Sequence, residues 1–243
     1  MSNGPGSDPA ADGVPVSAPA DARAARKRAV AGVRRSLVLA AARSAFFELG
    51  LEGASLREIA RRAGYTPGAL YSYFQSKEEV YGALLGESLE RLKEFVNAAV
   101  PRTGATIGGA AARRLAAQTS LRARAKAFFD FYRENPRDLD LGFYLFHGMQ
   151  PRGLTPALND RLNARLRDAL APVRDGLAAL GLAADQAQAE VTALFAHVVG
   201  LLLLSHTGRI RMFRQASAAL FARYVDTLIA RAAPRRASTP ARP

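Results

Sequence analysis

The sequence predicts an all-α protein of two domains, and three observations carry that prediction. Apolar residues make up 49% of the 243 positions, yet they never alternate over any length as a half-buried strand requires; they recur at three- and four-residue spacings. Alanine and leucine, both strong helix formers, dominate the composition. Cap signals punctuate the chain: Ser or Thr just before an apolar-periodic run, Pro at a first helical position, Gly just past a last one.

Residues 1–22 are rich in Gly, Pro, Ala, Ser and Asp. With so little apolar bulk they cannot repay the entropy of ordering, and disorder is expected. Residues 23–35 hold Arg23, Arg26, Lys27, Arg28, Arg34 and Arg35, a basic lead-in that either reaches along a duplex toward its minor groove or is simply solvated. The first helix is expected from about 33 to 49, burying Val38, Ala42, Ala45, Phe46 and Leu49.

The stretch Ser55 to Lys77, SLREIARRAGYTPGALYSYFQSK, reads as a helix-turn-helix. Ser55 followed by Glu58 is a capping box, so a helix starts at about Leu56. Leu56, Ile59, Ala60 and Ala63 form its apolar stripe, and Ala60 is small enough for a second helix to cross closely. Gly64 suits the left-handed residue that ends a helix. Thr66 and Pro67 then open another helix, with Leu70 and Phe74 inward. Gly68, Ala69, Tyr71, Ser72 and Tyr73 are small or carry hydroxyls, as a helix entering a groove requires. Ser76 with Glu79 is a further capping box and starts a fourth helix at Lys77. Leu85, Leu89, Leu92, Val96 and Ala99 carry its stripe out of the DNA head and into the second domain.

Residues 101–118 are Gly- and Ala-rich and show no clear pattern. A helix resumes near Ser120, with Leu121, Ala125, Phe128 and Tyr132 on one face, and Asn135-Pro136 stops it. A short aromatic helix with Leu139, Phe143 and Phe146 comes next. Thr155-Pro156 caps a long helix, Leu158 through Leu180, which Pro172 is expected to kink and Gly181 to end. Two helices remain, at about 185–206 and 211–231. The first is apolar nearly all round. Val191, Leu194, Phe195, Val198 and Leu202 are read as a surface for a second copy of the chain; burial within one large core is the competing account. The expected division is 1–32 disordered, 33–80 DNA-binding, 81–232 sensing and dimerising, and 233–243 a disordered basic tail.

The helix-turn-helix stretch resembles the tetracycline-repressor (TetR) family of transcriptional regulators, from about Val38 to Val80. Val38, Ala42, Phe46 and Gly50 resemble its first helix. Ile59, Ala60, Ala63 and Gly64 resemble its second helix and turn, and Leu70, Tyr71, Tyr73, Phe74 and Lys77 its third helix and the start of the fourth. Tyr65 stands where a small aliphatic residue is usual. The resemblance implies that Tyr71 and Lys77 touch phosphates. It implies that Thr66, Pro67, Gly68, Ala69, Ser72 and Tyr73 face the groove, and that Ser55 and Arg57 meet the backbone or an outer base. Arg57, the one long cation among these besides Lys77, is the candidate for a guanine contact; a solvated arginine is the plainer reading. The resemblance also implies a homodimer on a palindromic double-stranded operator, and a small-molecule effector.

The charge distribution agrees. The net charge is +13. Residues 23–80 hold eleven Lys/Arg against five Asp/Glu, a net +6, as a phosphate-binding surface should. Residues 209–243 carry +7, read here as an aid to solubility. There is no cysteine, which excludes disulfides and thiol catalysis. The three histidines suggest no metal site, and no nucleophile triad, phosphate-cradling loop or paired carboxylate suggests an enzyme or a cofactor. The longest apolar run, Val198 to Leu204, is far short of a membrane span of roughly 20 residues, so a cytoplasmic protein with no membrane partner is expected. Phe128, Tyr132, Phe143, Tyr144 and His147 belong to a dense aromatic group that either lines a ligand cavity or is ordinary core. A helical ligand-binding or scaffold module without DNA binding is the alternative function.

Overall fold

The computed structural model describes residues 18–100, 109–143 and 154–232, together with Met1. Among the described residues there are nine α-helices and no strand. Helix α1 (Ala18–Gly53), α2 (Leu56–Ala63), α3 (Pro67–Tyr71) and the start of α4 (Lys77–Ala98) make the head. The rest of α4, with α5 (Ala110–Glu134), α6 (Pro136–Phe143), α7 (Pro156–Ala179), α8 (Ala184–His206) and α9 (Ser217–Ala232), makes the second domain.

The head forms where its caps direct. The Ser55 hydroxyl accepts from the Glu58 N–H at 3.2 Å, that of Thr66 from Ala69 at 3.3 Å, and that of Ser76 from Glu79 at 3.2 Å. Gly64 ends α2 at φ 73°, a left-handed conformation that a side chain would strain. The return half of each capping box is rerouted. The Glu58 carboxylate takes Arg61 and Arg62 instead of its cap's N–H, and Glu79 accepts from Gln75. Val38, Leu39, Ala42, Ala45, Phe46, Ile59, Ala60, Leu70 and Phe74 are buried together. Ala60 is fully buried.

Several boundaries differ from expectation. Helix α1 reaches back to Ala18, so 18–32 is helical rather than disordered; residues 21–37 are all exposed, and the basic lead-in is a solvated helix. Alanine supplies the propensity there without any packing. Leu49 is exposed and Leu39 is buried; at Gly50 (φ 70°) the chain departs from helical geometry, and just beyond it Leu51 is buried in the core. Helix α3 ends at Tyr71, before Ser72 and Tyr73. Helix α5 begins ten residues before Ser120 and α7 continues as one helix through Pro172. A 3₁₀ turn, Arg209–Phe213, separates α8 from α9, so α9 starts at Ser217.

Helix α4 is the spine of the molecule, and α7 is its nearest companion. Gly82 and Gly86, one turn apart, admit it. A Cβ on Gly82 would lie 2.7 Å from Leu158, and one on Gly86 would lie 2.9 Å from the Arg165 guanidinium, which donates to the Gly86 carbonyl at 3.1 Å. On α8 the structure corrects the expected partner surface. Val191, Leu194, Val198 and Leu202 are buried in the chain's own core, and Phe195 packs on Phe128 and Phe143 at 5.9 and 5.4 Å between ring centroids. The most apolar face of a helix is the one its own core claims first. Between Val191 and Leu203 the exposed residues are Thr192, Ala193, Ala196, Gly200 and Leu203. By length and composition α8 is the one helix among the described residues apolar enough to cross a membrane, with a mean hydropathy of 1.7 over its best window. The longest unbroken apolar run understates it, because single polar residues interrupt that run without much lowering the average.

Candidate nucleic-acid interface

The expected contact residues divide into those the head leaves free and those it uses itself. Pro67 and Gly68 are exposed at the start of α3, and Tyr71 is 53% exposed at its end. A Cβ on Gly68 would meet nothing within 4 Å, and its φ is not positive. Nothing in the head therefore requires glycine at that position, which points to an external reason for the missing side chain. Arg57 is exposed on α2 and has no partner among the described residues.

Other residues are committed. Thr66 and Ser55 hold the caps of α3 and α2. The Ser72 hydroxyl donates to the Ala69 carbonyl at 2.7 Å and keeps its lone pairs for an incoming donor. Ala69 is half-buried. Tyr73, expected to face the groove, is instead half-buried against the core and lines a cleft with Arg35, Phe74 and Arg161. It follows one turn after the half-buried Ala69, and its N–H donates to the carbonyl of the buried Leu70 at 2.9 Å, so it shares their inward side. Lys77, expected on a phosphate, donates to the Glu52 carbonyl at the end of α1, 3.1 Å away. An ammonium has three protons, so this bond aims the group and leaves two for another acceptor.

An ion network that the sequence reading missed locks α2 to α1. Arg62 reaches Glu58 at 2.7 Å, Glu48 at 2.9 Å and the Ser44 hydroxyl at 3.0 Å, and Arg61 also binds Glu58. Hydrogen bonds from Arg61 and Arg62 hold the Glu58 carboxyl down to about 2, and Arg62 with Ser44 lowers Glu48. The spacing from Glu58 to Arg62 was visible in the sequence; the reach to Glu48 and Ser44 depends on how α1 crosses α2.

A second set of contacts joins the head to the second domain. Asp138 of α6 is buried, with its carboxylate 2.7 Å from Arg91 of α4 and 3.7 Å from Arg43 of α1. Arg137 lies over the Phe47 ring at 4.4 Å, and the Tyr81 hydroxyl donates to the Leu141 carbonyl at 2.5 Å. The far end of α6, Gly142 and Phe143, borders a cavity of about 230 Å³ between α4, α5 and α7. Of the expected ligand residues, Tyr132 and Phe143 line it. Phe128 does not; it is fully buried against Tyr132 and Phe195. Tyr144 and His147 lie outside the described residues. Tyr81, Leu85, Leu89, Asn159 and Asn163 line the cavity unforeseen, since four helices contribute and no local motif links them. Among the described residues no cluster of three or more His, Asp or Glu is arranged to hold a metal.

Residues 38–84 match the profile for bacterial regulatory proteins of the tetR family, and residues 121–228 that for the tetracyclin repressor-like C-terminal domain. The chain belongs to the TetR family of transcriptional regulators. It is 34% identical over 110 residues to the HTH-type transcriptional activator FasR of Mycolicibacterium smegmatis, 45% of each chain. It is 38% identical over 64 residues to the HTH-type transcriptional repressor AcnR of Corynebacterium diphtheriae, 26% of this chain and 34% of that protein. The chain thus matches half or less of these relatives' lengths. A tetR-family regulatory protein from Rhodococcus RHA1 shares the fold with a TM-score of 0.61 at 20% identity, over 84% of this chain and 98% of that one.

Proposed function

We propose that this TetR-family chain is a ligand-responsive regulator that binds a palindromic operator as a homodimer, most simply as a repressor. The observation that carries the reading is Gly68. It is a helical glycine at the exposed tip of α3 that the head's own packing does not require, on the same short helix as the exposed Tyr71. Backbone N–H groups at an uncrowded helix N-terminus suit a phosphate. The basic helix 18–35 adds a phosphate-attracting surface next to the head.

The dimer surface in this reading is the outward side of α8, Thr192, Ala193, Ala196, Gly200 and Leu203, in place of the residues first expected. Small side chains let two helices approach closely, and only a third of the apolar window of α8 is buried within one chain. Two heads would then meet successive major grooves about 34–36 Å apart. Such a protein works in the cytoplasm.

Gel shifts on DNA from around the chain's own gene, across a salt series, test the reading. Binding should weaken steeply with salt, with a log–log slope of about −0.9 per phosphate neutralised, and deleting residues 1–32 should make that slope shallower. Absent or salt-insensitive binding would favour a sensing module without DNA contact. Leu203→Glu should yield monomers in sedimentation; an unchanged mass would move the dimer surface elsewhere.

A further inference from the structure

The cavity beside α6 has one polar feature that the fold leaves unfinished. Tyr132 is 1% exposed and lines the cavity. Its ring is held by Phe128, Phe131 and Phe143 at centroid distances of 5.5, 5.3 and 6.1 Å. Its hydroxyl has no hydrogen-bond partner among the described residues. That leaves its proton free for an acceptor that enters the cavity. Tyr81, across the same cavity, has already given its proton to the Leu141 carbonyl.

The charges around the site restrict what the acceptor is. None of the described lining residues is ionisable apart from the two tyrosines. Asp138 is a buried carboxylate on α6, and the two cations that reach it, Arg43 and Arg91, are engaged with it. A carboxylate or phosphate placed at Tyr132 would be desolvated, and none of the described lining residues is a cation that could receive it. A carbonyl oxygen accepts the same hydrogen bond without that penalty. The remaining walls, Leu85, Leu89, Leu162 and Leu166, suit an alkyl chain, and Asn159 and Asn163 stand at the exposed side of α7. A dry cavity of about 150 Å³ accepts benzene, so about 230 Å³ has room for a chain of several carbons more.

We infer that the cavity binds an uncharged alkyl chain bearing a carbonyl oxygen, a ketone, ester, thioester or lactone, with Tyr132 donating to that oxygen. This deepens the reading of the protein as ligand-responsive and rests on it. Gly142 and Phe143 border the bound chain and Asp138 lies a turn back on the same helix, so occupancy acts on the link between α6 and the head.

Titration calorimetry of the full chain with 2-octanone and with octanoate, matched in length, tests the charge argument without any mutation. The ketone should bind at least tenfold more tightly at neutral pH. Tyr132→Phe should weaken the ketone about tenfold and leave octanoate nearly where it was, with circular dichroism confirming the helical fold. Octanoate binding as well as the ketone, a Tyr132→Phe variant that binds the ketone normally, or no ketone binding at millimolar concentration would each overturn the inference. Operator binding measured on the same preparation separates this from failure of the regulator reading, because a chain that binds operator but not the ketone loses only the ligand assignment.

Discussion

Gly68→Ala sets folding and DNA binding against each other. In the isolated chain the new methyl has open space, with nothing within 4 Å of its position and no positive φ to strain it. Glycine in a helix interior is about 1 kcal/mol worse than alanine, but residue 68 sits in the first turn of a five-residue helix, where less of that difference applies. A gain of about 0.5 kcal/mol is expected, or about 1–2 °C in Tm for a chain of this size. On DNA the same methyl stands on the exposed tip of α3 and holds the backbone off the duplex. Losing one charge-assisted N–H contact to phosphate is worth about 1.5 kcal/mol, which is about tenfold in Kd. Thermal unfolding by circular dichroism and fluorescence anisotropy on operator DNA read the two effects separately. A variant that is more stable and binds DNA undiminished would refute the placement of α3 in the groove. One that is destabilised would show that the space beside residue 68 is not open.

Tyr71→Phe with Lys77→Ala should weaken binding to operator and to unrelated DNA by similar factors, measured by competition; a loss confined to the operator would make these residues readers of bases. Because Lys77 also caps the Glu52 carbonyl, Lys77→Ala alone should cost about 0.5–1 kcal/mol of stability by denaturant unfolding. The Glu58 carboxyl is held down to about 2 by Arg61 and Arg62, so its contribution is fully present above its unfolded value of 4.5 and is lost as pH falls from there toward 2. The stability of Glu58→Gln should therefore vary less over that window than that of the parent, and parallel acid profiles would show the network to be idle. Arg43 and Asp138 should show a coupling of about 0.5–1 kcal/mol in a double-mutant cycle, the half-exposed arginine being partly screened by water; additivity would remove α6 as a link between sensor and head.

The head was legible residue by residue because its signals are local. A cap, a proline and a left-handed glycine act on neighbours three or four positions away, so Ser55, Gly64, Thr66, Pro67 and Ser76 announce their helices without reference to the rest of the fold. Apolar spacing likewise showed the inward faces of α4 and α7. Tertiary structure decided whatever depends on how helices cross. It turned Tyr73 into a cleft, bound Lys77 to the end of α1, and gave the apolar face of α8 to the chain's own core. It also gathered Tyr81, Leu85, Tyr132, Asn159 and Asn163 from α4, α5 and α7 around one cavity. Side chains that meet across 50 or 80 residues share no period, and periodicity reports which face of a helix is buried but not which neighbour buries it.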